Sequence, residues 1–203
     1  MKIIAIGRNY REHVKELKNT VPSEPVIFLM PETALIKKNQ PFFYPDFSNN
    51  VHYEVELVLK INKLGKNIAE KFAHRYYDEI GIGIDFTARD LQNDLIQKGL
   101  PWEKSKGFDG AAPLGKFLNK DTFPNVQDIN FTLEKNGELV QSGNSKDMIF
   151  SFDAIIAHVS KFFTLKIGDL IFTGTPAGVG PVKIGDELIA KIEEHELLKL
   201  HVR

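Results

Sequence analysis

The chain of 203 residues carries 26 basic and 27 acidic side chains, a formal net charge of −1, and 42 % of its residues are hydrophobic. This length and apolar content are those of one globular domain and exclude a disordered chain. A balanced charge provides no field to hold a phosphate backbone, and the absence of cysteine excludes disulfides and thiolate chemistry. Because no apolar run is long enough for a signal peptide or a membrane span, we expect a cytoplasmic protein that binds neither nucleic acid nor membrane.

The first elements of the chain are short. The spacing of apolar residues predicts a helix over Tyr10–Leu17, with Asn9 as its N-cap and Glu12 closing a capping box. The segment Lys18–Pro25 has two prolines and no periodicity, which predicts an exposed, mobile loop. Val26–Met30 is a short apolar run between two prolines and is typical of a buried strand.

Two strands in the middle of the chain carry acidic residues. Residues His52–Ile61 alternate between apolar and polar side chains, so Glu54 and Glu56 lie on the same face of a predicted strand. A second strand, Ile80–Phe86, has Asp85 near its end. Three carboxylates form a hard oxygen site that suits Mg²⁺ or Mn²⁺ rather than structural zinc. The same spacing also fits a solvated strand face, where glutamate is common.

The remaining segments mix helices with hairpin strands. Helices are predicted over Ala69–Tyr77, Thr87–Lys98 and Phe152–Phe163, the second with its first residue as N-cap. An Asn136-Gly137 turn indicates a β-hairpin. The tetrapeptide Lys-Ile-Gly-Asp occurs twice, at 166–169 and 183–186, which indicates a reused turn. Together with 15 phenylalanines and 15 glycines, the pattern favours an α+β, β-rich fold over a helical bundle.

Three further groups of polar residues allow a chemical interpretation. His13 and Glu16 share one helix face, where the carboxylate can fix the imidazole tautomer and leave the other nitrogen as a base. An exposed, charged helix fits the same spacing. Lys106 precedes a glycine that would let backbone approach whatever the lysine contacts, although a single loop lysine is common. The loop 174–181 offers N–H groups and the Thr175 hydroxyl to an anion, or merely joins two strands.

In their order along the chain, these motifs resemble those of the fumarylacetoacetate hydrolase family, most closely its short-chain acylpyruvate hydrolase branch. The matching strings run from Gly7 to Val182 and are GRNYREHVKEL, EPVIFLMPETAL, HYEVELVL, GIGIDFTARDLQ, WEKSKGFDG, SGNSKDMIF and FTGTPAGVGPV. The resemblance implies a mixed β-sheet roll with small flanking helices. It also implies a single catalytic domain over residues 1–203, a mobile lid over residues 9–25, and a homodimer.

The resemblance further implies a role for each matching polar residue. The ligands of Mg²⁺ or Mn²⁺ would be Glu54, Glu56 and Asp85. The catalytic residues would be His13, Glu16 and Lys106. The first two of these would activate water, and the lysine would lie beside the metal-bound substrate oxygen. The substrate would be bound by Arg8, Gln92 and Thr175, the last two at its oxo acid end.

The activity that the resemblance implies is metal-dependent cleavage of a carbon–carbon bond in acylpyruvates such as acetylpyruvate or fumarylpyruvate, giving pyruvate and a carboxylic acid. Alternatives within the family are oxaloacetate decarboxylation, keto–enol tautomerisation and isomerisation of 2-hydroxyhepta-2,4-diene-1,7-dioate. A different class, a non-enzymatic metal-binding module of the cupin type, would use His52 with Glu54 and Glu56. One departure from the family is Met30, where acylpyruvases commonly carry a lysine. The change removes a positive charge near the expected entrance of the site.

Overall fold

The computed structural model describes residues 1–36 and 40–203, and in this part of the chain fourteen strands form three β-sheets. The strands are β1 Ile3–Gly7, β2 Val26–Met30, β3 Leu35–Ile36, β4 Val51–Tyr53, β5 Val55–Ile61, β6 Tyr77–Ile84, β7 Thr87–Ala88, β8 Ala112–Asn119, β9 Asn130–Lys135, β10 Glu138–Asn144, β11 Leu170–Phe172, β12 Gly180–Pro181, β13 Glu187–Ile192 and β14 His195–His201. The α-helices are α1 Arg11–Glu16, α2 Glu70–Ala73, α3 Arg89–Gln97, α4 Glu103–Lys106 and α5 Phe152–Phe162.

The largest sheet is mixed and has the strand order β2-β1-β11-β5-β6-β8-β3. Strand β1 pairs in parallel with β11, and β3 pairs in parallel with β8, whereas the other neighbours in this sheet are antiparallel. A four-stranded sheet, β10-β9-β13-β14, and a three-stranded sheet, β12-β4-β7, complete the roll. The predicted β-rich, mixed-sheet fold is therefore confirmed.

The central strand β5 is buried on both faces. Leu57 and Leu59 belong to the larger hydrophobic cluster, while Val58 packs with Phe172 in a second cluster on the opposite face of the sheet. A strand covered on both sides has no solvated face, so polar residues at its N-terminal end are enclosed by protein. This placement decides the environment of the acidic pair at positions 54 and 56.

Several helix starts differ from the predictions. The first helix has Tyr10 at its N-cap without a side-chain cap, because Asn9 instead donates to the carbonyls of Phe150 and Thr173. Thr87 lies in β7, and α3 also begins without a side-chain cap. Helix α2 has only four residues within the predicted Ala69–Tyr77. In each case tertiary pairing overrides a local capping or helix signal.

The turn predictions are confirmed. Asn136 and Gly137 both have positive φ angles, 54° and 82°, as a two-residue hairpin turn with this sequence requires. The two Lys-Ile-Gly-Asp segments form the same turn. In each, the aspartate side chain accepts a hydrogen bond of 2.8 Å from the lysine N–H three positions earlier, at 166–169 and at 183–186.

No helix in the described ranges 1–36 and 40–203 is long and apolar enough to cross a membrane.

Candidate active site

The floor of the site is built where β4, β5 and β6 meet. Strands β4 and β5 are separated only by Glu54, and the antiparallel register of β5 and β6 pairs Val55 with Ile84. The residue that precedes Val55 therefore lies opposite Asp85, whose N–H donates to the Glu54 carbonyl at 2.8 Å. Glu56 follows two positions later on the same side of the strand.

The three acidic residues form one compact group. Glu54, Glu56 and Asp85 each offer a carboxylate oxygen within 4.8 Å of the others, and their exposed fractions are 4 %, 2 % and 1 %. The solvated strand face considered for the first two is therefore wrong. Three buried carboxylates at this separation repel one another, so the arrangement is stable only with cations among them.

Two buried cations neutralise part of this charge. Lys106 Nζ donates to Glu54 Oε2 at 2.8 Å and to Asp85 Oδ2 at 2.5 Å, while Arg89 Nη2 donates to Glu54 Oε1. Burial raises the pKa of Glu54, but these two cations outweigh it and hold that pKa well below its usual range. For Lys106 the effect of burial has the opposite sign and lowers the pKa. The negative charges of Asp85 and Glu54 outweigh it, so the pKa of Lys106 is raised overall. The ammonium is therefore charged at neutral pH.

Glu56 and Asp85 have less positive charge near them than Glu54 has, so burial dominates their pKa values. Burial, and then the charge of Asp85, raises the pKa of Glu56 well above its usual range. Burial and the Glu54 charge raise the pKa of Asp85 to about 7. Among the described residues, none hydrogen-bonds Asp85 Oδ1, which is buried. An unpaired buried oxygen within a set of three hard donors fits a divalent ion such as Mg²⁺ or Mn²⁺.

Helix α4 and strand β2 hold Lys106 in place. Its Nζ lies 5.4 Å from the centre of the Phe28 ring, and the side chain is 3 % exposed. The glycine that follows has a different role from the predicted one. A Cβ added at Gly107 would come within 3.0 Å of Pro31 Cδ, so the glycine permits close packing of α4 on the end of β2.

The first helix brings a histidine–carboxylate pair over the floor. His13 Nδ1 lies 3.2 Å from Glu16 Oε2, and His13 is only 5 % exposed. The exposed-helix interpretation is therefore wrong for the histidine. Glu16 Oε1 also accepts a hydrogen bond from Gly178 N at 3.1 Å, which links the helix to the glycine-rich loop. Donation of Nδ1–H to the carboxylate leaves Nε2 with its lone pair as a potential base.

The glycine-rich loop serves both the floor and the opposite wall. Gly174 N donates to Glu56 Oε2 at 2.8 Å, and Thr175 is 3 % exposed. Gln141 donates to Thr175 Oγ1 at 2.9 Å and accepts from Val55 N at 2.9 Å, so it ties this loop to the strand between the two glutamates. Sequence reasoning missed this glutamine, which occupies an ordinary alternating position of a hairpin strand.

Arg89 was also missed, although the sequence contains a signal for it. Two carboxylates on one face demand a cation, and Arg89 begins the helix that follows Asp85. Its Nη1 donates to Gln92 Oε1 at 2.5 Å, which orients the predicted substrate-binding glutamine. One arginine thus positions both a floor carboxylate and a wall amide.

These groups share one pocket. Eight of the nine predicted site residues line it, namely Arg8, His13, Glu54, Glu56, Asp85, Gln92, Lys106 and Thr175. The ninth, Glu16, contacts His13 instead. Met30 is 4 % exposed in the second hydrophobic cluster rather than at an entrance, because it lies on a strand that faces that cluster. His52 hydrogen-bonds Asn50 at 2.9 Å and is not part of the acidic group, unlike the arrangement that a cupin-type site would need.

Comparisons with known proteins find a matching family model and similar proteins. Residues 2–203 match the family model described as fumarylacetoacetate (FAA) hydrolase C-terminal. The chain is 45 % identical to oxaloacetate tautomerase FAHD1, mitochondrial, of Mus musculus, covering 94 % of this chain and 86 % of the relative. It is 42 % identical to oxaloacetate tautomerase YcgM of Escherichia coli (strain K12), covering 97 % and 90 %. A fumarylpyruvate hydrolase from Pseudomonas aeruginosa, solved with Mn²⁺ and pyruvate, superposes with a TM-score of 0.93 at 33 % identity, covering 100 % and 89 %.

Proposed function

Because this chain belongs to the fumarylacetoacetate hydrolase family, we propose that it is a metal-dependent enzyme that interconverts the keto and enol forms of oxaloacetate. The similarity to two oxaloacetate tautomerases supports this alternative over acylpyruvate hydrolysis. The observation that carries the proposal is a histidine base and a buried ammonium lining the same pocket as three carboxylates. Such a pocket has the groups needed to move one proton between carbon and oxygen.

The floor would hold the metal through Glu54, Glu56 and Asp85, whose hard oxygens suit Mg²⁺ or Mn²⁺ equally. When bound, the ion supplies Lewis-acid polarisation of the 2-oxo acid. The Mn²⁺ in the fumarylpyruvate hydrolase structure belongs to that relative and supports, for this chain, a divalent ion of the same kind.

Lys106 would act on the 2-oxo oxygen of the substrate. Its ammonium is buried, charged and held by two carboxylates, so its direction is fixed before substrate enters. Enolisation converts the 2-oxo group into an oxygen that carries negative charge until it gains a proton. A preorganised cation beside that oxygen stabilises the developing charge without reorganisation.

His13 would exchange the carbon-bound proton. Nε2 takes a proton from C3, the electron pair of that C–H bond forms the C2–C3 double bond, and the π pair of the C2=O bond moves to oxygen. The imidazolium then gives the same proton to that oxygen, which becomes the enol hydroxyl. The reverse reaction returns a proton to C3, so no atom is gained or lost. Glu16 would accept the Nδ1–H throughout and stabilise the imidazolium that forms in between.

The same pair separates tautomerisation from decarboxylation. Loss of CO₂ from oxaloacetate breaks the C3–C4 bond and leaves an enolate that Lys106 would stabilise, but no base removes a proton in that step. A buried histidine oriented by a carboxylate has no task there. Its presence therefore favours tautomerisation, with slow decarboxylation as a side reaction at the same floor.

Acylpyruvate hydrolysis is a second candidate, because a histidine–glutamate pair can also activate water. Attack of that water on the 4-oxo carbon would break the C3–C4 bond and release the same pyruvate enolate. The fumarylpyruvate hydrolase that shares this fold supports that candidate. Fumarylpyruvate and acetylpyruvate are therefore the substrates to compare with oxaloacetate.

Parallel assays with Mg²⁺ test the function. Enol formation from oxaloacetate is followed by ultraviolet absorbance, and pyruvate is measured separately with lactate dehydrogenase. We expect equilibration of keto and enol forms to be far faster than pyruvate release, and a variant with Glu54→Gln and Glu56→Gln serves as the control for metal-only catalysis. Pyruvate formation from an acylpyruvate at a higher kcat/KM than enolisation of oxaloacetate would overturn the proposal.

We extend the proposal to the lid and the assembly that the resemblance implies. Residues 9–25 would open for substrate entry and close over it, carrying His13 and Glu16. A homodimer and a cytoplasmic location remain predictions. The relative from Mus musculus is mitochondrial by name, so fractionation of the native host is the measurement that decides location.

A further inference from the structure

Among the residues that the structure describes, Arg8 is the pocket cation whose charge is not paired. It follows β1, lines the pocket, and places its guanidinium carbon 5.7 Å from the centre of the Trp102 ring. Across residues 1–36 and 40–203, no carboxylate lies within ion-pair distance of Arg8. The other two pocket cations, Arg89 and Lys106, are both engaged with floor carboxylates.

The backbone presets the direction of this arginine. Arg8 has a φ of 61°, a left-handed conformation that a non-glycine residue rarely adopts. Strand β1 fixes the chain before it, and the three hydrogen bonds of the Asn9 side chain to Phe150 and Thr173 fix the chain after it. The Trp102 ring then supports the guanidinium. Strain of this kind persists where surrounding structure over-determines it, and it commonly marks a ligand-binding position.

The charge balance of the pocket indicates what Arg8 would bind. Three basic and three acidic side chains line it, so their formal charges cancel. A divalent ion on the floor would leave the pocket at about +2, the charge that a 2-oxo dicarboxylate dianion neutralises. An acylpyruvate with an uncharged acyl group brings only one carboxylate, which leaves Arg8 without a partner.

We propose that Arg8 binds the distal carboxylate of a 2-oxo dicarboxylic acid and thereby selects such acids over acylpyruvates with a neutral tail. This inference rests on the proposed function, since oxaloacetate is a 2-oxo dicarboxylic acid. The near end of the substrate would lie on the floor, and its second carboxylate would meet the guanidinium through charge-assisted hydrogen bonds. Floor carboxylates already pair with Arg89 and Lys106, so this task falls to Arg8 among the described basic residues that line the pocket.

A pair of unreactive ligands isolates the distal carboxylate. Malate and lactate share a 2-hydroxy acid end, but only malate has a second carboxylate. With Mn²⁺-loaded protein, calorimetry should show malate binding about 10- to 100-fold more tightly than lactate, the usual gain from a charge-assisted pair. Arg8→Met should abolish that preference, and Arg8→Lys should restore part of it. Arg75→Met, at an exposed position outside the pocket and the lid, should leave it unchanged.

Oxalate and the enolisation assay separate the possible failures. Oxalate lacks a distal group, so its affinity should stay within about twofold in Arg8→Met; a parallel loss of oxalate and malate binding would assign Arg8 a structural role. Equal binding of malate and lactate by the unaltered protein would overturn the inference. A malate preference that depends on Arg8, in a protein that does not enolise oxaloacetate, would instead refute the proposed function and leave the selectivity standing.

Discussion

The floor of the pocket and the helix above it are held in different ways. Glu54, Glu56 and Asp85 lie in or directly beside β5 and β6, two adjoining strands of the main sheet. Their carboxylates are bound by Lys106, Arg89 and a backbone N–H. Helix α1 has six residues, of which two are buried, and it lacks a side-chain cap. Few buried contacts give a segment low local stability. The floor carboxylates thus lie at buried strands, whereas the base His13 lies on a segment with few buried contacts. Substitutions should therefore be able to remove metal binding or proton transfer independently of each other.

Removing a floor carboxylate should have the largest effect. Glu56→Gln should lower Mn²⁺ affinity by more than about 100-fold, because an anionic ligand becomes neutral. The metal-free variant should melt no lower than the unaltered protein, since glutamine avoids the cost of burying a charge and still accepts from Gly174 N. Calorimetry and thermal melting check both results, with the exposed Glu138→Gln as control. Retained Mn²⁺ binding would remove Glu56 from the metal site.

Removing the base should have the next largest effect and should leave the floor intact. His13→Ala should reduce enolisation of oxaloacetate by about 10²- to 10⁴-fold, the usual contribution of a general base. Its Mn²⁺ affinity should not change, and decarboxylation should lose much less because no proton leaves carbon in that step. Both rates are measured on one preparation, beside the exposed Glu12→Ala. Equal losses in the two reactions would show that the helix has no separate catalytic task.

Metal binding at the floor should also depend on pH. Burial raises the pKa of Asp85 to about 7 and that of Glu56 well above normal, so both hold protons in the metal-free protein below neutrality. A metal must displace these protons, so affinity should rise as pH increases towards 7, by about tenfold per unit for each proton released.

Calorimetry at pH 6 in two buffers of different ionisation enthalpy counts the released protons. For the stability of the metal-free protein, the effect of these two carboxyls has the opposite sign: each binds its proton more tightly in the folded state, so their contribution should fall as pH rises from about 4 to 7. Metal binding without proton release at pH 6 would contradict the raised pKa values.

The smallest expected effect is on the dynamics of the lid. Adding Mn²⁺ and oxalate should slow amide exchange several-fold in residues 11–25, since a ligand on the floor favours the closed helix. Amides of β5 should change little, because that strand is already buried on both faces. Hydrogen exchange with mass spectrometry resolves the two segments. Equal protection of residues 11–25 with and without ligand would mean that the helix does not act as a lid.

The parts of the site that could be predicted are those set by the alternation of side chains along a strand. Alternation placed Glu54 and Glu56 on one face, but the spacing alone fitted solvent as well as metal. Burial of β5 on both faces excludes the solvated face. That burial depends on elements that are distant in sequence, which the spacing of the two glutamates does not reveal. Asn9 shows the opposite case: it has the residue type of an N-cap, yet three tertiary hydrogen bonds claim its side chain.

The missed residues share a cause. Gln141 bonds Val55, 86 positions away, and Arg89 bonds Glu54 across 35 positions. Neither separation follows a helical or strand period, so no periodic pattern reveals the partner. For Arg89 a chemical signal existed, because clustered carboxylates need a counter-charge; for Gln141 no signal was present apart from its place in a predicted hairpin.

The parallel pairing of β1 with β11 sets the order in which the pocket can be assembled during synthesis. Ile3 pairs with Leu170, and the Lys2 N–H bonds Asp169, 167 positions along the chain. Before β11 has emerged from the ribosome, the nascent chain already contains all three floor carboxylates. Strand β1 still lacks the partner that fixes its place relative to β5 and β6 in the main sheet. Arg8 and the lid follow β1 in the chain. They therefore acquire their positions only near the end of translation, after β5 and β6 with the floor carboxylates have been synthesised.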